Sequence, residues 1–425
     1  MGKRELTEDQ RYDRKIRVAF SWVSILFETA ITTSAFNTLL LQKEGFSSTQ
    51  VGVILAVFSI IGIIAPPFWG YLADRIRSIP KAFIIVLCIQ GVVVTFLPMS
   101  GGIKIGGLSL LAISMPLSNF VRQPTLSLVD AWMVQAVNTT EGRVAYGSVR
   151  LWGSVGWAVA CLIMTKIADW TSVVVPFYLC GLICISVAFW YSVLVKKLPL
   201  RQPEEENAEP VDHINPFVLF KNYYFVWILI FNLILTISSN ASFNFIPYMF
   251  TEIGADPNLG AASVGVKALM EVPLMFAGVY LARRFSMPSM IATVGLMYFV
   301  EQSLYSLASS ATMIIGVQLI QGLAYGLYVS CSVDYAYKLA PKSLTASAQS
   351  FMWMSNAVGT VLSNLMGGWL ISVIGAGGLY RFNSFVVLAG FVLFVLSFPF
   401  GEKVLKIPRP AAALSPRKRA RMEQE

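Results

Sequence analysis

Residues 51–75 read VGVILAVFSIIGIIAPPFWGYLADR. No charged side chain interrupts positions 51–72, and Asp74 and Arg75 close the run. A helix rises about 1.5 Å per residue, so roughly 20 mainly apolar residues cross the hydrocarbon core of a bilayer. Working outward, comparable stretches lie at 16–41, 81–99, 106–135, 146–167, 173–195, 223–250, 261–282, 287–308, 312–338, 345–374 and 380–401, twelve with the first. The composition agrees. The chain is 56% hydrophobic and only 13% charged, with mean hydropathy +0.66, whereas a soluble domain carries about 25% charged residues. This is too little charge for a water-facing surface. The reading is an all-α membrane protein with twelve transmembrane helices.

The net charge of +9 raises the question of nucleic-acid binding, and its distribution answers it. With the N-terminus inside, the inner segments hold 26 of the 32 Lys and Arg. The outer segments hold Lys43, Lys104, Lys166 and Arg381, and Arg122 and Lys267 lie within spans. That asymmetry is the positive-inside bias of a multi-pass protein of the plasma membrane, with both termini cytoplasmic. The basic tail at 402–425 then meets lipid headgroups or solvent, and no nucleic-acid partner is expected. The polar start, MGKRELTEDQRYDRK, lacks the apolar core of a cleaved signal. The five cysteines all fall within spans, and His213, the lone histidine, lies in a loop. No metal-ligand spacing or Ser-His or Cys-His arrangement appears, so neither a cofactor nor an enzyme is expected.

The longest polar run, at 196–222, reads as a cytoplasmic linker between an N-terminal six-helix bundle, 1–195, and a C-terminal one, 223–401. The halves resemble each other. SAFNTLLLQKEG (34–45) matches ASFNFIPYMFTEIG (241–254), setting Asn37 in step with Asn244. GYLADR (70–75) matches VYLARR (279–284), and LVDAW (128–132) matches SVDYAY (332–337). Two pseudo-symmetric six-helix bundles are the architecture of a rocking transporter, with substrate held near the midplane.

Gly70-Tyr71-Leu72-Ala73-Asp74-Arg75 resembles the signature loop of the major facilitator superfamily, although the usual Gly-Arg-Lys end is replaced by Ile76-Arg77-Ser78-Ile79-Pro80-Lys81. The resemblance implies a conformational latch at Gly70, Asp74 and Arg75; the alternative is an ordinary basic loop. LVDAWMVQ followed by YGSVRLWGSVGW (146–157) resembles lactose permease and its relatives, the oligosaccharide, nucleoside and phenylpropionate proton symporters. The matching residues are Asp130, Arg150, Gly153, Gly156 and Trp157, and Glu271 matches a sugar-binding glutamate of that branch. The resemblance stops at the proton relay. Gln321 and Ala324 stand where the branch carries a His and a Glu, and Glu301 stands near its usual Arg.

The residues support a site on their own terms. Asp130 lies near the inner end of span 4 and Arg150 near the start of span 5, both some 6–8 Å below the interface by helix rise. A lone ion there is costly, so the two are expected to pair, directly or through substrate hydroxyls. A purely structural salt bridge is the alternative. Trp157 would stack on a sugar face or simply pack. Glu28, Arg122, Glu271 and Glu301 lie mid-span and are candidates by depth. Lys267 and Glu271 share a helical face, which also fits a local ion pair. Asn37 and Asn244 head polar stretches that line a cavity or glue helices together. Any coupling proton must ride on a carboxylate, Glu301 first and Glu271 second. The expected function is proton-coupled uptake of a sugar, glycoside or nucleoside-like solute by a monomer working through alternating access. Uptake of a small aromatic carboxylic acid and proton-driven efflux of hydrophobic compounds are the alternatives. The topology is checked by cysteine labelling: an impermeant reagent outside should reach a cysteine placed at Asp256 and miss one placed at Glu206.

Overall fold

The computed structural model describes residues 7–141, 143–198, 215–341 and 344–414. Most of the expected linker, 199–214 with Glu206 and His213, and the end of the basic tail, 415–425, lie outside the described residues. Among the described residues, a helix covers each of the twelve apolar stretches. In chain order they are α1 (Glu8–Ala30), α2 (Asn37–Lys43), α3 (Ser48–Ile76), α4 (Ile79–Gly101), α5 (Leu111–Asn138), α6 (Tyr146–Trp170) and α7 (Val175–Lys197). They continue with α8 (Tyr223–Asn244), α9 (Ile246–Glu252), α10 (Leu259–Leu281), α11 (Met287–Ser306), α12 (Ala311–Leu339) and α13 (Thr345–Lys403).

By length and composition, eight of the described helical segments are apolar enough to cross a membrane. Helices α5, with Arg122 and Asp130, and α11, with Glu301, are long but not among those eight. Ile64, Phe96, Leu182, Phe189 and Phe385 are largely exposed, as lipid-facing side chains are.

Local chemistry explains the breaks. The first predicted span is one helix interrupted by a 3-10 turn at Thr32–Phe36. There the Thr32 hydroxyl donates to the carbonyls of Glu28 and Thr29, competing with the backbone ladder. The span predicted at 223–250 breaks at Phe245, and Pro247, in the first turn of α9, has no N–H to continue α8. The stretch predicted to be helical from 106 begins instead at Leu111. Gly106 and Gly107, both at positive φ (58° and 85°), turn a short hairpin between β1 (Lys104–Ile105) and β2 (Leu108–Ser109).

The chain packs as two compact units, one drawn from Met1–Phe46 and Val57–Ala208, the other from Ser47–Ala56 and Glu209–Glu425. In the first, α1 packs on α6, and α4 packs on both α5 and α7. Phe20, Phe83, Trp132 and Tyr191 form an aromatic cluster at its centre, and the Tyr191 hydroxyl donates to Val23 O at 2.6 Å. Gly156 brings α6 against the backbone of Ile25, where a Cβ would lie 2.7 Å from the carbonyl oxygen.

In the second unit, α13 turns back on itself at Gly375 (φ 75°, ψ 176°), a conformation that needs glycine. On its first arm Ser355 and Ser363 donate to Leu229 O and Ile237 O, so this arm runs parallel to α8. On its second arm Phe394 stacks on Phe231 at 4.5 Å and Ser397 O accepts from Tyr223, so that arm returns antiparallel. Glu252 accepts from the N–H groups of Ala376 and Gly377, capping the start of the second arm. The loop predicted at 375–379 is therefore a single left-handed residue.

Helix α12 approaches α10 through Gly322 and Gly326, whose Cα atoms face the backbone carbonyls of Lys267 and Glu271. Small residues at such contacts replace the hydrophobic drive that lipid removes. Gly326→Ala would press a methyl group into the Glu271 carbonyl and should destabilise the fold by about 1–3 kcal/mol. Gly316→Ala, on the same helix but facing open space, should be neutral or slightly stabilising. Thermal melts of the two purified variants check the contrast.

Candidate substrate and coupling sites

The first unit assembles its polar site around Arg150, one turn into α6. Arg150 Nη2 lies 2.8 Å from Glu28 Oε1, and Nε lies 3.4 Å from Asp130 Oδ1. The Tyr146 hydroxyl donates to the same Asp130 oxygen at 2.8 Å, and the Ser24 hydroxyl donates to Arg150 O at 3.3 Å. Three helices therefore converge on one guanidinium: α1 with Ser24 and Glu28, α5 with Asp130, and α6 with Tyr146 and Arg150. Gly153 makes the convergence possible. A Cβ there would meet Arg150 Nη1 and Ser24 Oγ, each at 2.6 Å. The side chains of Arg150 and Asp130 are 33% and 45% exposed, whereas that of Glu28 is only 9% exposed. The Asp130 side of the arginine is therefore the more open one, and Glu28 pairs with it from the buried side.

The expected Asp130–Arg150 contact is present, and Glu28 makes the shorter pair. The sequence reading missed Tyr146 and Ser24. The spacing Tyr146–Arg150 was a usable signal, since residues four apart share a helix face. Arg122 does not join the pair. Its Nε is buried without a hydrogen-bond partner, within electrostatic reach of Glu28. Trp157 packs partly buried against the aromatic core rather than standing free. Asn37 is buried at the start of α2. Gly70 faces open space, and Asp74 and Arg75 are exposed. Asp74 and Arg77 edge a cavity of about 580 Å³ that Phe20, Trp132 and Leu198 also line.

The second unit holds two further groups. Lys267 Nζ lies 3.7 Å from Glu271 and 4.8 Å from the ring centre of Tyr325, so the local ion pair is present and lies against an aromatic face. Glu301 is fully buried. Its Oε1 accepts from Ser242 Oγ at 2.8 Å and from Gln302 Nε2 at 3.1 Å, and its Oε2 has no partner. It forms no ion pair among the described residues. Asn244 and Asn240 both donate to Asn364 Oδ1, at 2.8 and 2.9 Å, so Asn244 belongs to an amide cluster between α8 and α13.

A helical fold with buried charges on its long apolar helices fits a membrane transporter of the major facilitator superfamily. The chain belongs to the MFS_1 like family, whose model matches residues 25–382. It is 24% identical to the maltose permease of Geobacillus stearothermophilus over 385 residues, covering 90% of this chain and 94% of that protein. It is 22% identical to the uncharacterized transporter YwbF of Bacillus subtilis (strain 168), covering 89% and 92% of the two. Among solved structures, the nucleoside transporter NupG shares the fold with a TM-score of 0.73 at 14% identity, over 90% of this chain and 99% of that one. A bacterial homolog of the human lysosomal transporter Spinster does so with a TM-score of 0.67 at 12% identity, over 95% and 99%.

The arginine is the member of the first cluster whose loss is most costly. Arg150→Met would leave Glu28 buried and unpaired. Removing one partner of a buried pair costs about 3–5 kcal/mol, and the loss here should be smaller because Arg150 is one-third exposed. The double variant Glu28→Gln with Arg150→Met should recover much of the lost stability, as read by melting temperature in detergent.

Proposed function

We propose that this transporter imports a neutral, hydroxylated solute, a sugar, glycoside or nucleoside, together with a proton. It works by alternating access, with both termini in the cytoplasm of a plasma-membrane protein. The observation that carries the reading is the cluster of Glu28, Asp130, Tyr146 and Arg150. It offers forked guanidinium donors beside carboxylate acceptors, the pattern that hydroxyl groups satisfy. Counted with Arg122, the first unit sets two guanidinium groups against two carboxylates, so an uncharged solute leaves the balance intact. An aromatic acid would add a negative charge with no cation reserved for it, and is disfavoured. The sequence similarity to a maltose permease supports the same direction.

For coupling, Glu301 carries the proton. It is fully buried and has no cation in contact among the described residues, whereas Glu271 is held by Lys267. A carboxylate without a salt-bridge partner changes its protonation most readily as its surroundings change. The test is uptake by the purified protein in liposomes under an imposed pH gradient, with sugars and nucleosides as substrates. Asp130→Asn and Arg150→Lys should abolish uptake at normal protein abundance, because lysine cannot make the two-pronged contact. Glu301→Gln should retain counterflow exchange and lose pH-driven accumulation. Normal uptake by the Asp130 and Arg150 variants would overturn the binding assignment, and accumulation by Glu301→Gln would overturn the coupling assignment.

A further inference from the structure

The surroundings of Glu301 pose a hydrogen-bonding problem that a proton alone does not solve. Gln302 Nε2 donates to Ser242 Oγ at 2.8 Å and to Glu301 Oε1 at 3.1 Å, which uses both of its hydrogens. The Ser242 hydroxyl gives its one hydrogen to Glu301 Oε1. The nearest donors are therefore spent on one carboxylate oxygen. Glu301 Oε2 and Gln302 Oε1, which only accept, are buried without partners. Three hydroxyl groups nearby, which both donate and accept, are also buried without partners. Ser238 Oγ lies one turn before Ser242 on α8, and the Tyr305 hydroxyl lies one turn after Glu301 on α11. The Tyr380 hydroxyl belongs to a ring 4.9 Å from that of Tyr305. Orphaned buried oxygens are costly, and several together at one place point to a guest.

Charge points the same way. Away from the helix ends of the second unit stand Lys267, Glu271 and Glu301, one cation against two carboxylates. One positive charge completes the set. A proton on Oε2 supplies the charge but can be shared with only one further oxygen. A bare alkali cation supplies the charge and accepts several oxygens at once. The candidate ligands are all hard oxygens with a single carboxylate among them, which suits a monovalent rather than a divalent ion and excludes soft metals. Complete burial of Glu301, Gln302 and Ser242 favours a small ion.

We propose that the pocket formed by Glu301, Gln302, Ser242, Ser238 and Tyr305 binds a sodium or lithium ion in place of the proton. This deepens the assignment of Glu301 as the coupling residue and rests on it. Proton and cation then compete for one oxygen, Glu301 Oε2. The groups in hydrogen-bonding or electrostatic reach of Glu301 are Ser242 on α8, Lys267 on α10, Tyr298, Gln302 and Tyr305 on α11, and Tyr380 on α13. Because Glu301 is fully buried, the ion enters only when the helices part and close again. The readout is therefore thermal stability at equilibrium.

The experiment melts the purified full-length protein, without substrate, at mildly alkaline pH in sodium, lithium, potassium or choline chloride of equal ionic strength. A ligand that binds the native state raises its melting temperature by mass action. Sodium or lithium should raise it by at least about 2 °C over potassium and choline. Acidification should shrink the difference as protons take the site. Glu301→Gln should remove it, and Asp334→Asn, in an ion pair near the end of α12, should keep it. If Glu301→Gln does not fold, Tyr305→Phe and Ser238→Ala serve instead and should weaken the sodium response. Equal melting in all four salts, or a sodium response that survives Glu301→Gln, would overturn the proposal. Failure of pH-driven uptake with the sodium response intact would sink the proton reading alone. A flat salt response with normal pH-driven uptake would sink only the cation site.

Discussion

A charged group inside a bilayer must find an opposite charge or a ring of hydrogen bonds, and that requirement organises both units. In the first, Arg150 is held between Glu28 and Asp130, and the helices that carry these residues have little freedom to slide. The glycines follow from the same demand. Gly153 leaves room for the guanidinium and Gly156 lets α6 press on the backbone of α1, so the ion pair and the helix contact are two aspects of one fit. In the second unit the solution differs. Lys267 and Glu271 neutralise each other on one helix, and Glu301 is supported by an amide and a hydroxyl instead of a cation.

This contrast gives the two units different chemistry. A salt-bridged cluster with partly exposed members can exchange its internal contacts for contacts to a solute at little net cost. A buried carboxylate with one unserved oxygen has no such latitude with a bulky solute and suits the proton or small ion proposed for it. On the proposed function, binding and coupling are separated by how each charge is neutralised.

Much of this was legible in the sequence, for reasons that have to do with range. Hydropathy reports on single segments, so each apolar stretch could be found from its own residues. Asp130 and Arg150 could be paired because a short connection joins their helices. Glu28 could not be placed opposite Arg150, because α1 and α6 are separated by four other helices in the chain and their contact is a tertiary fact. Ser242 beside Glu301 is hidden for the same reason. The breaks were missed differently. The 3-10 turn at Thr32–Phe36 depends on a threonine hydroxyl competing for carbonyls, and the turn at Gly375 depends on one glycine and a distant carboxylate. Neither alters the apolar character on which the span reading rests.

The reversal at Gly375 also has a mechanical side. The two arms of α13 are joined by a single residue, with no slack segment to absorb a displacement, and Glu252 pins the joint through two backbone N–H groups. Both arms are fastened along α8, by Ser355 and Ser363 on one side and by Phe394 and Ser397 on the other. Torque applied to one arm therefore passes undiminished to the other and to α8, and the three behave as one stiff lever.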